Sequence, residues 1–449
     1  MIIKNSEIAL PGGNELISLD IEIDQGKLVY IGENLKGSDI FDAKGLQVFP
    51  GAIDPHVHFD EPGFTDREDF YHGTSAAASG GVTTIIDMPC TSIPPVTSLK
   101  NLKHKLDIVS KKAVVDFGFF GGVSRQVIEK DHCKNMAELA QFVMGFKTYF
   151  ISGMDSFGAL DLGQIQAVLT EAIKLKSPVL LHAEDPGIVN ELTKTEKAKG
   201  KDWINFYRSR PESAEIFAVV KAIAIARATG AQLHIVHVGT GDAALLLKNE
   251  KNISGETAPH YLEFSYKDLE KIGGALKTVP TVKSEGNADV LWKCIMDGTL
   301  DFIASDHAPA PAEQKNTGSA WNDYSGIPGS GTLFPYLYSE GLIKRNMPLS
   351  RFLQVVSENA AKRYDFWDRK GSIEVGKDAD LIFVNPNDSW RIRGSEFLSK
   401  GKITPFENRV FIGKVVKTML RGKFIYDSKS GIEVEPGYGK FINPAKSGD

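Results

Sequence analysis

Ile53-Asp-Pro-His-Val-His-Phe-Asp-Glu-Pro-Gly63 places two histidines two residues apart at the end of a short apolar run. Side chains alternate faces along a β-strand, so His56 and His58 point the same way and can hold one ion. The plain alternative is a pair of histidines beside a loop with no shared role, and the rest of the chain decides between the two.

Upstream, residues 1–50 read as short strands broken by Pro11-Gly12-Gly13 and Asp24-Gln25-Gly26, with no helical period. Downstream, apolar β-rich runs alternate with longer amphipathic segments, as parallel strands with crossover helices do. Eight such runs can be counted, at 52–58, 82–88, 114–120, 142–148, 179–182, 233–238, 253–257 and 301–306. Helical patterns fall between most of them, at 69–79, 99–110, 136–141, 162–174, 213–228, 243–248 and 287–296, and another follows at 333–342. Eight strands with interleaved helices predict an α/β fold, a (β/α)8 TIM-type barrel. A helical run over 350–364 leaves the barrel, and β patterns return at 371–384 and 415–426. Neither end can bury a core alone, so the N- and C-terminal segments are expected to pair into one small β-sandwich. The predicted division is 1–50 for the N-terminal part of the sandwich, 51–365 for the barrel, and 366–449 for the rest, with a tail from about Tyr438.

Barrels place their chemistry at the C-terminal ends of strands, so what ends each run is informative. The first ends in His56 and His58, the fourth in Lys147, the fifth in His182, the sixth in His237 and the eighth in Asp306. Imidazole and carboxylate suit zinc and similar divalent ions, and two ions about 3.5–4 Å apart could share these groups. Lys147 is the odd member, because an ammonium cannot ligate a cation. A deprotonated lysine amine can add carbon dioxide, and the resulting carbamate supplies two oxygens that bridge two metals. Two divalent ions against Asp306, such a carbamate and one hydroxide nearly balance in charge, and a lysine buried beside cations has its pKa depressed toward the free amine. An ion pair at the barrel mouth is the alternative for Lys147.

A hydroxide shared by two metals is a nucleophile near neutral pH, a polarised carbonyl is its target, and Asp306 is placed to move the proton to a departing nitrogen. The chemistry indicated is hydrolysis, with a C–N bond as the expected target. His260 and His307 are candidate orienting or substrate-binding groups, with a structural role as the alternative. Cys90 ends the second strand and either looks into the pocket or is a buried inert thiol. His234 faces away from His237 by strand alternation, which suggests a core or helix-facing role.

Composition narrows the partners. Hydrophobic residues make up 42% and charged residues 24% of the 449, the net charge is −5, and no basic field invites nucleic acid or an anionic membrane. Three scattered cysteines, no signal-like start and no long apolar run lead to a cytoplasmic enzyme with a small-molecule substrate.

The motifs resemble the amidohydrolase superfamily, and within it the cyclic amidohydrolases: the dihydroorotase, allantoinase and hydantoinase/dihydropyrimidinase group. The likeness runs from Pro50-Gly-Ala-Ile-Asp-Pro-His-Val-His58 through Gly145-Phe-Lys-Thr-Tyr149, Leu181-His-Ala-Glu184, Ser209-Arg-Pro-Glu212 and Glu256-Thr-Ala-Pro-His-Tyr261 to Ser305-Asp-His-Ala-Pro309. It implies two divalent metal ions, zinc above others, with His56, His58, carboxylated Lys147, His182, His237 and Asp306 as ligands, and an oligomer, a dimer or tetramer. Dihydroorotases of this pattern carry an arginine where Asp60 stands, an asparagine where Cys90 stands and a histidine where Ala310 stands. Asp60 would repel a substrate carboxylate. Phe59-Asp-Glu-Pro-Gly63 is closer to the allantoinase pattern, so a neutral cyclic amide or ureide is expected, allantoin before dihydroorotate or a hydantoin. Non-catalytic dihydropyrimidinase relatives have lost metal ligands, whereas all six positions are filled here. A mononuclear deaminase-like member would lack the lysine at strand four. The segment 308–331, rich in Pro, Gly and Ser, is either a lid over the site or a static loop.

Overall fold

The computed structural model describes residues 1–444. Each of the eight expected runs contains a strand: Ala52–Val57, Val82–Asp87, Asp116–Phe119 continued by Gly121–Gly122, Phe146–Tyr149, Val179–His182, Leu233–Ile235, Ile253–Thr257 and Phe302–Ile303. Parallel pairing runs from the first to the third and from Gly121–Gly122 to the eighth, in chain order. A parallel bridge between Val57 and His307 closes the ring. Val82–Asp87 and Val179–His182 are buried along their whole length, as strands covered on both faces must be. Ile53, Ile86, Phe120, Leu180, Val236 and Phe302 pack together as one buried cluster, so the barrel is a filled core with its chemistry at one mouth.

Local sequence explains the surrounding helices. Asp69 caps Phe70–Ser79 by accepting from the His72 backbone N–H, and Asp161 with Gln164 forms a reciprocal capping box at the start of Leu162–Lys174. The fourth strand begins at Phe146 instead of residue 142, because Phe142 N–H turns back to the Leu139 carbonyl. Gly145 then lets the backbone pass against Pro178: an added Cβ would sit 2.8 Å from its carbonyl oxygen. Helices Pro186–Lys199 and Trp203–Arg208 lie where the sequence reading assigns none; Asp185 caps the first and proline opens it, but its many charges blur the apolar period.

The two ends of the chain meet in a single nine-stranded sheet. Leu381–Arg391 pairs antiparallel with Gln47–Pro50, aligning Ile382 with Phe49, and Val410–Leu420 lies on its far side. The expected tail is corrected in part. Phe441 bridges to Phe117, and Ile442 N–H donates to the Phe117 carbonyl, so this stretch is docked against the third barrel strand. The remainder of that expectation, 445–449, lies outside the described residues.

A buried ion cluster ties the terminal sheet to the barrel. Lys370 Nζ lies 2.9 Å from Asp116 Oδ2, 2.6 Å from Asp380 Oδ2 and 3.4 Å from Asp378 Oδ2, and Arg421 also donates to Asp116. Lys370→Met removes the shared cation from among buried carboxylates and is expected to destabilise the fold by about 3–5 kcal/mol, read as a lower denaturant midpoint. Burial alone would raise the Asp116 carboxyl, but Lys370 and Arg421 outweigh it and hold it below its ordinary 3.8. Its stabilising contribution is therefore present above about pH 3.8 and is lost as pH falls through the lower folded value.

Candidate metal centre

Six side chains from five barrel strand ends converge at the mouth. His56 Nε2 and His58 Nε2 lie 3.2 and 3.4 Å from Asp306 Oδ1, and His182 Nδ1 faces His237 Nε2 at 3.0 Å. The rings of His56 and His237 are 5.4 Å apart between centroids, which joins the two groups. Lys147 is fully buried, and its ammonium carries charge close enough to act on His56, His182 and His237. His237 and Asp306 have left-handed backbones, with φ of 38° and 49°. Each such non-glycine conformation costs about 1–3 kcal/mol, and here it turns a residue past the strand end toward the centre.

The donor set fits a divalent metal. His56 Nε2, His237 Nδ1 and Lys147 Nζ are buried without a hydrogen-bond partner, even though Asp306 stands near the first of them. Ligand atoms of His56, His58 and Asp306 all lie within 4.8 Å of one another. Buried polar atoms left bare are costly, and a cation removes that cost for the imidazole nitrogens, whereas the lysine can join them only without its ammonium charge. Burial would raise the Asp306 carboxyl, but His56, His58 and His237 hold it well below its usual range. Burial pushes the Lys147 amine down to about 8, only partly offset by Cys90, Glu256 and Asp306. A fraction of it is thus the free amine at neutral pH.

Carboxylates behind the histidines fix their rings. Glu256 accepts from His56 Nδ1 through one oxygen, and His234 Nε2 lies 3.2 Å from the other. His234 Nδ1 lies 2.7 Å from Ser254 Oγ, and the ring stacks on Phe302. His234 is fully buried, in keeping with the expected core role; the hydrogen-bonded strand ends at Ile235, so alternation does not carry on to His237. His182 Nε2 lies 3.0 Å from Glu184 Oε2, which Arg210 Nη1 reaches at 2.5 Å. Glu256, Glu184 and Arg210 were not singled out from the sequence, although each belongs to a quoted motif. Glu256→Gln leaves the side-chain size nearly unchanged and replaces with an amide the carboxyl group that orients His56; metal affinity, read by competition with a chelator, is expected to fall about 10–100-fold.

A cavity of about 680 Å³ opens over the group, bordered by His58, Cys90, His182, His237 and Asp306, with Tyr149, Arg210 and Lys277 among its other walls. Cys90 Sγ lies 3.0 Å from Tyr149 Oη and 3.7 Å from His58 Nδ1. The other expected substrate-binding residues do not border this cavity. The strand ends at Val57, and Asp60, with φ 54°, turns into the protein, where burial raises its carboxyl to about 7. His260 sits on helix Pro259–Glu263, fully buried against Tyr261 at 4.1 Å between ring centroids. His307 Nδ1 accepts from the Gly329 and Ser330 N–H groups, its Nε2 meets Glu68, and it borders a separate cavity beside the terminal sheet. The segment 308–331 is tied down: Lys315 Nζ donates to the Tyr324 and Gly326 carbonyls at 2.9 and 2.6 Å, and Arg67 Nε to Gln314 Oε1. It lies against the cavity as a bonded wall.

Comparison with known proteins bears on this arrangement. The family model described as the amidohydrolase family matches residues 47–425. An allantoinase of Rubrobacter xylanophilus is 36% identical over 444 residues, covering 97% of this chain and 96% of that protein. An allantoinase of Bacillus licheniformis is 33% identical, with coverage of 98% and 99%. Among solved structures, the L-hydantoinase (dihydropyrimidinase) of Arthrobacter aurescens superposes with a TM-score of 0.93 at 30% identity, covering 98% of this chain and 99% of that one.

Proposed function

Because the chain belongs to the amidohydrolase family and is a hydrolase of cyclic amides, we propose that it opens a neutral cyclic ureide, allantoin, by hydrolysis of a ring C–N bond. The observation that carries the reading is the meeting of six strand-end side chains beneath one cavity: His58, His182, His237 and Asp306 border it, and His56, His237 and Lys147 carry bare buried nitrogen atoms. The choice of allantoin is supported by the two allantoinases similar over nearly the whole chain. The likeness to a hydantoinase favours a second reading in which the ring is a substituted hydantoin.

In this proposal His56, His58 and Asp306 would hold one divalent ion and His182 and His237 a second, with Lys147, as its carbamate, adding a further anionic ligand. Zinc suits the imidazole-rich set. Bound there, the ions supply Lewis acidity, which makes water a nucleophile near neutral pH and polarises a carbonyl. Asp306, kept ionised by the surrounding imidazoles, takes the proton of the attacking water and returns it to the departing ring nitrogen. Glu256 and Glu184 hold the rings of His56 and His182 in place. A cytoplasmic setting accords with three free cysteines, and among the described residues no helix is long and apolar enough to cross a membrane. Helix Glu212–Thr229 leaves Phe217 and Val220 about half exposed, which supports a homo-oligomer.

The test is turnover of allantoin, dihydroorotate and unsubstituted hydantoin in parallel by the zinc-loaded protein. Preferred opening of allantoin is the expected result. Preferred opening of dihydroorotate would overturn the substrate, and no turnover of any ring by protein with its metal sites filled would overturn the activity.

A further inference from the structure

We infer that Lys277 is the specificity-determining residue of the cavity, reading an oxygen acceptor on the substituent that the cyclic amide carries outside its reacting ring. The inference deepens the proposed function, resting on the same cavity but on none of its metal-holding residues.

Lys277 borders the cavity, yet its residue is only 3% exposed. Its ammonium donates to the Asp323 carbonyl and, at a long 3.4 Å, to that of Trp321, while lying 4.8 Å from the centre of the Phe206 ring. An ammonium has three N–H donors, so these two carbonyls leave one for a ligand. Among the described residues no carboxylate is ion-paired with it; Asp323 acts on it only from a distance, and its carboxylate accepts from the Thr317 N–H and hydroxyl. Lys315, a second buried lysine held by carbonyls of the same segment, adds like charge beside it.

The other cations along the cavity are placed differently. Arg210 is spent on Glu184, which in turn holds His182, so its charge is balanced inside the protein. Lys197 is exposed at the rim, over the Trp321 ring. Lys277 is thus the cation that is both desolvated and unmatched, and a donor of that kind discriminates strongly between ligands that satisfy it and ligands that do not. A bare hydantoin ring fills little of about 680 Å³, so the cavity has room for a substituent between the ring and this wall. The acceptor that satisfies Lys277 is either a neutral ureido carbonyl, as on allantoin, or a carboxylate, as on 5-carboxymethylhydantoin. The chemistry shared by the two is an oxygen acceptor.

The experiment compares Lys277→Met and Lys277→Gln with the wild-type protein, each matched for metal content and melting temperature. The ratio of kcat/KM on allantoin to that on hydantoin is read, and the same ratio for 5-carboxymethylhydantoin. Lys277→Met is expected to lower at least one of the two ratios about 10–100-fold. Lys277→Gln keeps a neutral donor: it preserves most of the allantoin ratio if the acceptor is a ureido carbonyl and lowers the carboxylate ratio if the charge is what matters. Both ratios unchanged in Lys277→Met would overturn the inference. Should the wild-type protein open none of the rings, the activity fails separately. The same comparison is then made with calorimetric affinities for the intact rings, where an affinity ratio independent of Lys277, or no binding at all, overturns the inference.

Discussion

In an Asp306→Asn variant, kcat for ring opening drops about 10²–10⁴-fold, the range that a positioned general acid–base group contributes. The substitution keeps the shape and one ligating oxygen, so the loss falls on proton transfer more than on substrate binding, and KM changes little. The native group suits the role. Its carboxylate stands 3.2 and 3.4 Å from two imidazole nitrogens that keep it ionised, and it borders the cavity where the ring must sit. Steady-state kinetics with metal analysis on the same sample decides the matter. A kcat within tenfold of wild type at full metal occupancy would remove Asp306 from the proton path.

Replacing Lys147 with alanine is expected to cost more metal affinity than the roughly 10–100-fold that follows loss of a group behind a ligand, and turnover falls with it. The physical reason lies in the position of the amine. Lys147 Nζ is buried and has no hydrogen-bond partner, and the charges of Cys90, Glu256 and Asp306 offset its burial only in part. Carboxylation would turn it into an anion, which bound cations would favour. Lys147→Glu, which supplies a shorter carboxylate, should recover part of the metal binding that Lys147→Ala loses; a chelator titration of both variants measures this. Equal affinity in wild type and Lys147→Ala would assign the lysine a purely structural place.

Much of the fold could be read from the chain because its two periods are clean. Val82–Asp87 and Val179–His182 fall in runs rich in β-branched and aliphatic residues, and Leu162–Lys174 and Asn287–Met296 fall where the helical spacing puts them. The convergence of His56, His58, Lys147, His182, His237 and Asp306 was legible for a related reason: a barrel brings every strand end to one mouth, so residues scattered in sequence meet by topology. What alternation could not give was the direction of residues beyond a strand's last hydrogen bond. Asp60 follows the histidines at an even spacing, yet its left-handed backbone turns it away from the cavity, while that of His237 turns it inward. Arg210, Glu184 and Lys277 escaped for another reason. Their importance depends on which charges end up paired, and pairing across loops leaves no periodic trace in the sequence.

The central claim is that these six side chains form a two-metal centre, and counting ions tests it most directly. Protein dialysed against zinc and then freed of loose metal should retain two ions per chain, and a ¹³C carbamate signal should appear when ¹³C-bicarbonate is present and be absent from Lys147→Ala. A single retained ion, or two ions with no carbamate signal in fully active protein, would contradict the account.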